Sequence, residues 1–448
     1  EEAAKLGTSL TPIGAEKAGN AAGTIPAWDG GLPQKEMKRG DNPFAADKPL
    51  YTITAQNYKQ YSAQLADGYK ALFEKPQFII TKDNLAQYAA HLTDGQKAMF
   101  AKYPDYKMIV YPTHRSASYP QWFYDATKKN ATAVDLTDNG YGFCCAAQGY
   151  PFPIPKNGTE VMWNHIMRYN TKGYRGYINA AETQPDGSYV LERAYGEITF
   201  VYNNPKSTVD NLKNQNLYAM VKTLAPPNKA GTADLLHVPI DRIKEQTGVW
   251  EFNPALGRVR RIGEVGYDNP LFDGLMTHDQ LDMFNGPFDR YTVKLIGKKE
   301  MIVPYNDYVL YSDKLKYKDI IKGGHINQDL ARYELHRVWV MEADLKPGFS
   351  HIYKKRVFYL DEDSWLVLAQ DIYDNRDQFW RFAEAHAISF ANVPVVVNGV
   401  QVHYDLQSRR YVAVNLFNEE PQQIEYDFEQ APSYYTPQQL QKFATAGK

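Results

Sequence analysis

The stretch from about residue 171 to 418 limits the fold most. Its hydrophobic period is two, in short segments rich in Val, Ile, Tyr, Phe and Trp that are separated by turn signals. Segments 174–183 and 188–202 flank Pro185, Asp186 and Gly187, and 249–252 and 258–262 flank Asn253-Pro-Ala-Leu-Gly257. Segments 351–360 and 365–373 flank the polar turn 361–364, and further strands are predicted near 333–341, 380–390, 393–397, 400–405 and 411–417. Connections this short force antiparallel pairing, because a parallel crossover needs a dozen or more residues. About ten to twelve strands are expected, and a sheet that large must curl, split or close. Bulky side chains occupy both phases of some strands, as in Val338, Trp339, Val340 and Met341, or Val357, Phe358, Tyr359 and Leu360. Both faces of those strands are therefore covered. The predicted class is α+β but mainly β: a large curved antiparallel sheet, a half-barrel over residues 171–418, with helices packed as a lid.

Residues 1–50 are rich in Gly, Ala, Pro and Thr and lack periodicity, which predicts an extended arm with Trp28 as an anchor. Residues 51–170 read as the helical lid region. Tyr58, Tyr61, Leu65, Tyr69 and Leu72 share one helical face between a Thr54 cap and Pro76. That stripe suits either helix packing or the lining of a cavity. Further helices are predicted near 84–91 and 95–102 and after Pro120, with a brief strand at 107–111. Three alternating prolines stiffen Gly149-Tyr-Pro-Phe-Pro-Ile-Pro-Lys-Asn-Gly158, and a short helix follows the Asn157-Gly158 turn. Residues 419–448 read as a surface tail, and 51–418 as one structural domain.

Composition excludes several classes. Fifty basic and 52 acidic residues leave a net charge of −2 without a basic stripe, so nucleic acid is not an expected partner. No run approaches the ~18 apolar residues of a membrane helix, so membrane contact is expected to be peripheral or absent. The chain starts at Glu1 without Met, which fits removal of an export signal. The only cysteines, Cys144 and Cys145, are adjacent. Neighbouring Cα atoms are closer than an ordinary disulfide allows, so two small thiols are favoured over a strained ring. Aromatic residues make up 14% of the chain, with 34 Tyr against 20 Phe. A ring with a polar tip suits amphipathic cavities.

Motifs of catalysis are absent: there is no nucleophile elbow, phosphate-binding loop or zinc-protease helix. Gly140-Tyr-Gly142 begins a dinucleotide fingerprint but lacks its third glycine. No cofactor and no metal are expected. His165, His336, His351 and His386 are scattered, and a lone strand histidine is usually a structural hydrogen-bonding residue. Acidic groups such as Asp279 with Asp282, Asp371 with Asp374, and the 361–363 turn leave a carboxylate-pair hydrolase open, although turns gather Asp for backbone reasons.

The chain resembles a family of exported Gram-negative proteins catalogued as a domain of unknown function. The resemblance rests on Leu10-Thr-Pro-Ile-Gly-Ala-Glu-Lys-Ala-Gly-Asn20, the 151–158 segment and Trp163-Asn-His-Ile-Met-Arg-Tyr169. It extends through Asn253-Pro-Ala-Leu-Gly-Arg-Val-Arg-Arg261, Asp282-Met-Phe-Asn-Gly286, Arg332-Tyr-Glu-Leu-His-Arg-Val338 and Lys355-Arg-Val-Phe-Tyr-Leu-Asp-Glu-Asp-Ser-Trp365. That family is similar, more distantly, to the outer-membrane lipoprotein-sorting carriers LolA and LolB. The resemblance implies a half-barrel around a hydrophobic cavity, a periplasmic location, and an envelope partner such as a transporter of the resistance–nodulation–division type. The expected function is a non-enzymatic carrier of a lipid or other hydrophobic small molecule. Candidate cavity residues are Trp163, Trp250, Phe252, Phe284, Tyr291, Trp339, Tyr353, Phe358 and Trp380. An envelope hydrolase, or an accessory subunit gripping a transporter through the arm, are the alternatives.

Overall fold

The computed structural model describes residues 2–38, 40–47, 78–263 and 265–447. The helix expected over Tyr58, Tyr61, Leu65, Tyr69 and Leu72 lies outside the described residues. Among the described residues, sixteen strands form one sheet. After β1 (Phe78–Ile80) and β2 (Met108–Val110) come two meanders. The first comprises β3 (Gly173–Thr183), β4 (Tyr189–Phe200), β5 (Gln215–Ala225), β6 (Ala233–Pro239), β7 (Gly248–Asn253) and β8 (Arg258–Ile262). The second comprises β9 (Tyr291–Pro304), β10 (Tyr333–Leu345), β11 (Lys355–Asp361), β12 (Val367–Tyr373), β13 (Phe379–Phe390), β14 (Val395–Asp405) and β15 (Arg410–Leu416). Successive strands of each meander pair antiparallel, as the short turns dictate. Pairing of β15 with β3 joins the meanders, and β16 (Glu425–Tyr426) adds beside β3. The sheet is mixed, because β10 meets β2 in parallel through Tyr333 and Val110.

The second meander curls until Tyr305, just past β9, bridges Ala387 in β13. The first stays open, with β8 paired on one side only among the described residues. The large core fills the second meander and carries the helices. Helix Asp94–Lys102 starts with a Thr93–Gln96 capping box and sets the N–H groups of Asp94 and Gly95 on the carboxylate of Asp371 in β12. Helix Gly158–Ile166 starts at Asn157, whose side chain accepts from the Glu160 N–H, and rests on β9 and β10.

Three segments depart from expectation. The N-terminal arm is threaded into the body rather than laid on it. Ile13, Ala15 and Ile25 are buried, Trp365 donates to the Ile13 carbonyl, and Arg337 donates to the carbonyls of Glu16 and Ala18. At Gly14, with φ +97°, a Cβ would lie 1.8 Å from the Pro153 carbonyl oxygen, so only glycine fits. Trp28 is half-buried and reaches the Ala117 carbonyl at 3.5 Å. The tail also packs: helix Pro437–Thr445 buries Leu440, Phe443 and Ala444 against Tyr195, Met220, Leu235 and Phe252 on the outer face of the first meander. An apolar face at helical spacing, hidden among Gln and Pro, drives this. Finally, Cys144 and Cys145 are joined in a vicinal disulfide, where the chain turns with Cys145 at φ +75°. The expectation of two thiols is corrected: a turn at this point brings the two sulfurs together despite the short Cα separation. No helix among the described residues is long and apolar enough to cross a membrane.

Candidate functional site

The inner face of the first meander holds the site. Register partners Tyr174, Ile198, Ala219, Leu236 and Val249 form one row across β3 to β7. Opposite them runs a strap, residues 265–285. It contains a small hairpin pairing Pro270–Leu271 with Met276–Thr277 and a 3-10 turn His278–Gln280. Sheet and strap enclose a cavity of about 360 Å³, whose apolar wall includes Ile178, Ile198, Ala219, Leu236, Met276 and Leu281. That volume falls in the ~300–1,000 Å³ range of small-molecule sites. Two side chambers of about 70 and 80 Å³ share its walls, one through Arg168, Tyr174 and Asp282, the other through Leu236, Leu281 and Asn285.

Buried charge holds the strap. Asp279 takes two hydrogen bonds from Arg356 at 2.9 and 2.8 Å and one contact from His351 at 3.2 Å. Burial opposes its ionisation, but Arg356 and His351 hold its carboxyl well below the usual range. Gln280 accepts from the Tyr353 hydroxyl at 2.7 Å, and Arg381 donates to the Gly274 carbonyl at 2.6 Å. At the other end Asp282 is ion-paired with Arg168 and accepts from Asn398 at 2.7 Å. His165 is neutral, its pKa pushed down to about 4 by burial and then by Arg168. Its Nδ1 accepts from the Val367 N–H, so its Nε2–H donates to the Asp282 carbonyl. Two motifs more than a hundred residues apart, Trp163-Asn-His-Ile-Met-Arg-Tyr169 and Asp282-Met-Phe-Asn-Gly286, thus meet at the cavity.

Phe284, of the nine aromatic residues singled out in the sequence, lines the cavity. Phe358 packs edge-on behind it at 5.3 Å. Trp163 joins the same group through Phe288, at 5.2 Å from Phe288, which stacks on Phe284. Tyr291 and Tyr353 flank the Arg356 guanidinium at 5.1 and 4.8 Å, and Trp380 meets Tyr353 edge-on. These six gather around the strap and its anchor. The remaining three lie elsewhere. Trp250 and Phe252 are on the outer face of β7 beside the C-terminal helix, and Trp339 stacks on Trp365. Arg168, Ile198, Leu236, Met276 and Leu281 of the cavity wall, and Arg242 of the side chamber, are not among the candidates the sequence offers. Arg168 was within reach, since it stands in a quoted motif; the aliphatic positions carry no local signal.

A second polar cluster joins β10, the 361–364 turn and the arm. Arg115 donates to both oxygens of Asp363 at 2.7 Å, Arg337 to Glu362 at 2.6 Å, and Arg332 to Glu334 at 2.8 Å. His336, Asp361 and Asp363 offer ligand atoms within 4.8 Å of one another, the spacing a shared ion needs. The donor set does not suit one. Burial alone would push His336 down, but Asp361 and Glu334 outweigh it and lift the imidazole to about 9, so no ring lone pair is free at neutral pH. Asp361 accepts from Tyr305 and Ser364, and Arg115 occupies Asp363.

The profile of the family described as "Protein of unknown function (DUF1329)" matches residues 79–441. The chain belongs to the DUF1329 family. It is 46% identical over 450 residues to protein PA3922 of Pseudomonas aeruginosa, covering 99% of this chain and 93% of that one. Among solved structures, a DUF1329 family protein from Desulfovibrio piger is 12% identical with a TM-score of 0.42, over 60% of this chain and 92% of the other. A LolA superfamily protein from Nitrosomonas europaea is 12% identical with a TM-score of 0.37, over 63% and 98%. This DUF1329 chain is mainly β, with its large sheet not closed into a barrel.

Proposed function

We propose that this DUF1329 protein is a periplasmic binding or carrier protein for a hydrophobic or amphipathic ligand, a lipid or lipid-like metabolite. The observation that carries the reading is the apolar cavity of about 360 Å³ between a curved sheet and a strap anchored by buried ion pairs. Apolar walls with a few placed polar groups are the usual design of a small-molecule site. The chemistry-bearing side chains at its wall are already engaged, Asp282 with Arg168 and Glu192 with Lys229 at 2.7 Å, which favours holding over reacting. In this reading Phe284 touches the ligand, while Trp163, Tyr291, Tyr353, Phe358 and Trp380 shape the strap behind it. Trp250, Phe252 and Trp339 support the sheet from other packing layers. An envelope transporter of the resistance–nodulation–division type is the proposed partner.

Native mass spectrometry of the protein purified from envelope extracts, before and after solvent extraction, tests this. A lipid-sized adduct lost on extraction is the expected result. Failure to take up any apolar probe after extraction refutes the reading.

A further inference from the structure

The side chamber of about 80 Å³ beyond Leu236, Leu281 and Asn285 is lined by Arg242, Gln246, Thr247, Tyr267, His278 and Asp279 among others. Its charges are unequal in their pairing. Asp279 is neutralised by Arg356 from the far side. Arg242 has no carboxylate within ion-pair distance among the described residues. Its guanidinium donates to the backbone carbonyl of Asn285 and, at 2.5 Å, to the Asn285 side-chain oxygen. A guanidinium has five N–H donors, so the two directed at Asn285 leave three. Burial pushes it down to about 10, which still leaves it charged at neutral pH. Asn285 stands in the strap and also lines the large cavity. It therefore holds Arg242 where the large cavity meets this side chamber, the smaller of the two and the one whose wall carries the charged groups Arg242 and Asp279. Arg242 is half-buried, and an anion supplied by a ligand would replace the solvent at its remaining donors with charge-assisted hydrogen bonds.

We propose that Arg242 is the head-group receptor of this cavity, binding the anionic end of a ligand, a carboxylate or a phosphate monoester, while the apolar chain lies between the sheet and the strap. The inference rests on the cavity reading above. It adds the sign of the head group and the direction of the ligand, head toward β6 and β7 and tail toward β3 and β4. Guanidinium pairs with either anion through two parallel N–H donors, so the two head groups share one chemistry.

Displacement of the neutral dye phenylnaphthylamine from the full chain separates the possibilities. Dodecanoate, dodecyl phosphate and dodecanol are the competitors, which differ only at the head. Wild type is expected to bind at least one of the two anions about tenfold or more tighter than dodecanol. Ranking dodecanoate against dodecyl phosphate identifies which head group fits. Arg242→Met should lose that tenfold preference while dodecanol binding stays within twofold, which also reports that the cavity is intact. Arg242→Lys should keep part of the preference. Equal binding of anions and alcohol by wild type overturns the inference yet leaves the carrier reading standing, and needs no variant. Retention of the preference in Arg242→Met overturns it as well. If the dye and all three competitors fail to bind wild type, the carrier reading itself falls.

Discussion

Arg356 shows how much one side chain can hold. Its side chain is fully buried, it flanks the rings of Tyr291 and Tyr353, and it carries the carboxylate of Asp279 in the strap. Removing one partner of a buried pair leaves a bare charge, at a cost of about 3–5 kcal/mol. Arg356→Met should therefore lower the unfolding free energy in urea by about that amount, and a loss under 1 kcal/mol would show that Asp279 finds another partner. Ala219 illustrates the opposite role. It sits in the middle of the cavity row, and its small size leaves the space open. Ala219→Phe should fill that space, so dye binding should drop at least tenfold while the melting temperature holds or rises. Unchanged binding would place the ligand elsewhere.

At the scale of elements, the strap, the arm and the last helix each depend on contacts distant in sequence. The helix Pro437–Thr445 contributes Leu440, which is fully buried on the outer face of β4 to β7. Leu440→Ala should cost about 2–5 kcal/mol by transfer and cavity terms, measurable by thermal or urea unfolding. A cost near zero would mean the helix detaches without penalty. Strands β5, β6 and β9 were not foreseen, and segments 393–397 and 400–405 prove to be the one strand β14. The other long strands and their hairpins were legible in the sequence because alternation and turn residues are local properties. So were the helix after Pro120 and the helix capped by Asn157. Which phase of each strand faces the cavity was not legible. The bulky aromatic residues look like a lining in the sequence, yet Trp250 and Phe252 face the C-terminal helix while Val249 faces the cavity side. A cavity needs small and aliphatic walls such as Ala180, Ala194 and Ile198, because large rings fill space rather than leave it.

The whole molecule has a pH response set by its buried histidines. His336 lies between Glu334 and Asp361, and His386 between Asp307 and Glu384. For both, burial opposes the charge but the carboxylates outweigh it, and each pKa rises to about 9. A raised histidine stabilises fully below its unfolded pKa of ~6.5, and this contribution fades as pH climbs through about 9. His165 and His403 run the other way, lowered by burial to about 4 and about 3, so their contribution holds above ~6.5 and is lost as pH falls. Asp371, raised to about 7 by burial, destabilises the fold as pH rises from ~4 toward 7 and so works against them there. Above pH 7 the carboxylate-flanked histidines dominate. Urea unfolding at pH 7 and pH 9 should show wild type losing stability over that interval. His386→Gln should lose less, by on the order of 1–3 kcal/mol. Equal losses in the two proteins would mean His386 is neutral in the fold.

The sequence by itself determined the class of this protein: a mainly β chain whose sheet is built from successive antiparallel hairpins, and membership of a family carried by motifs along nearly the whole chain. Those follow from local periodicity, turn chemistry and short text. Only the tertiary structure decided that the arm threads the body and that the strap forms the roof of the cavity. It also decided that Arg168 meets Asp282, and that Arg242 stands without a carboxylate partner among the described residues. Each of these depends on which distant residues come within a few ångströms, and no spacing along the chain encodes that.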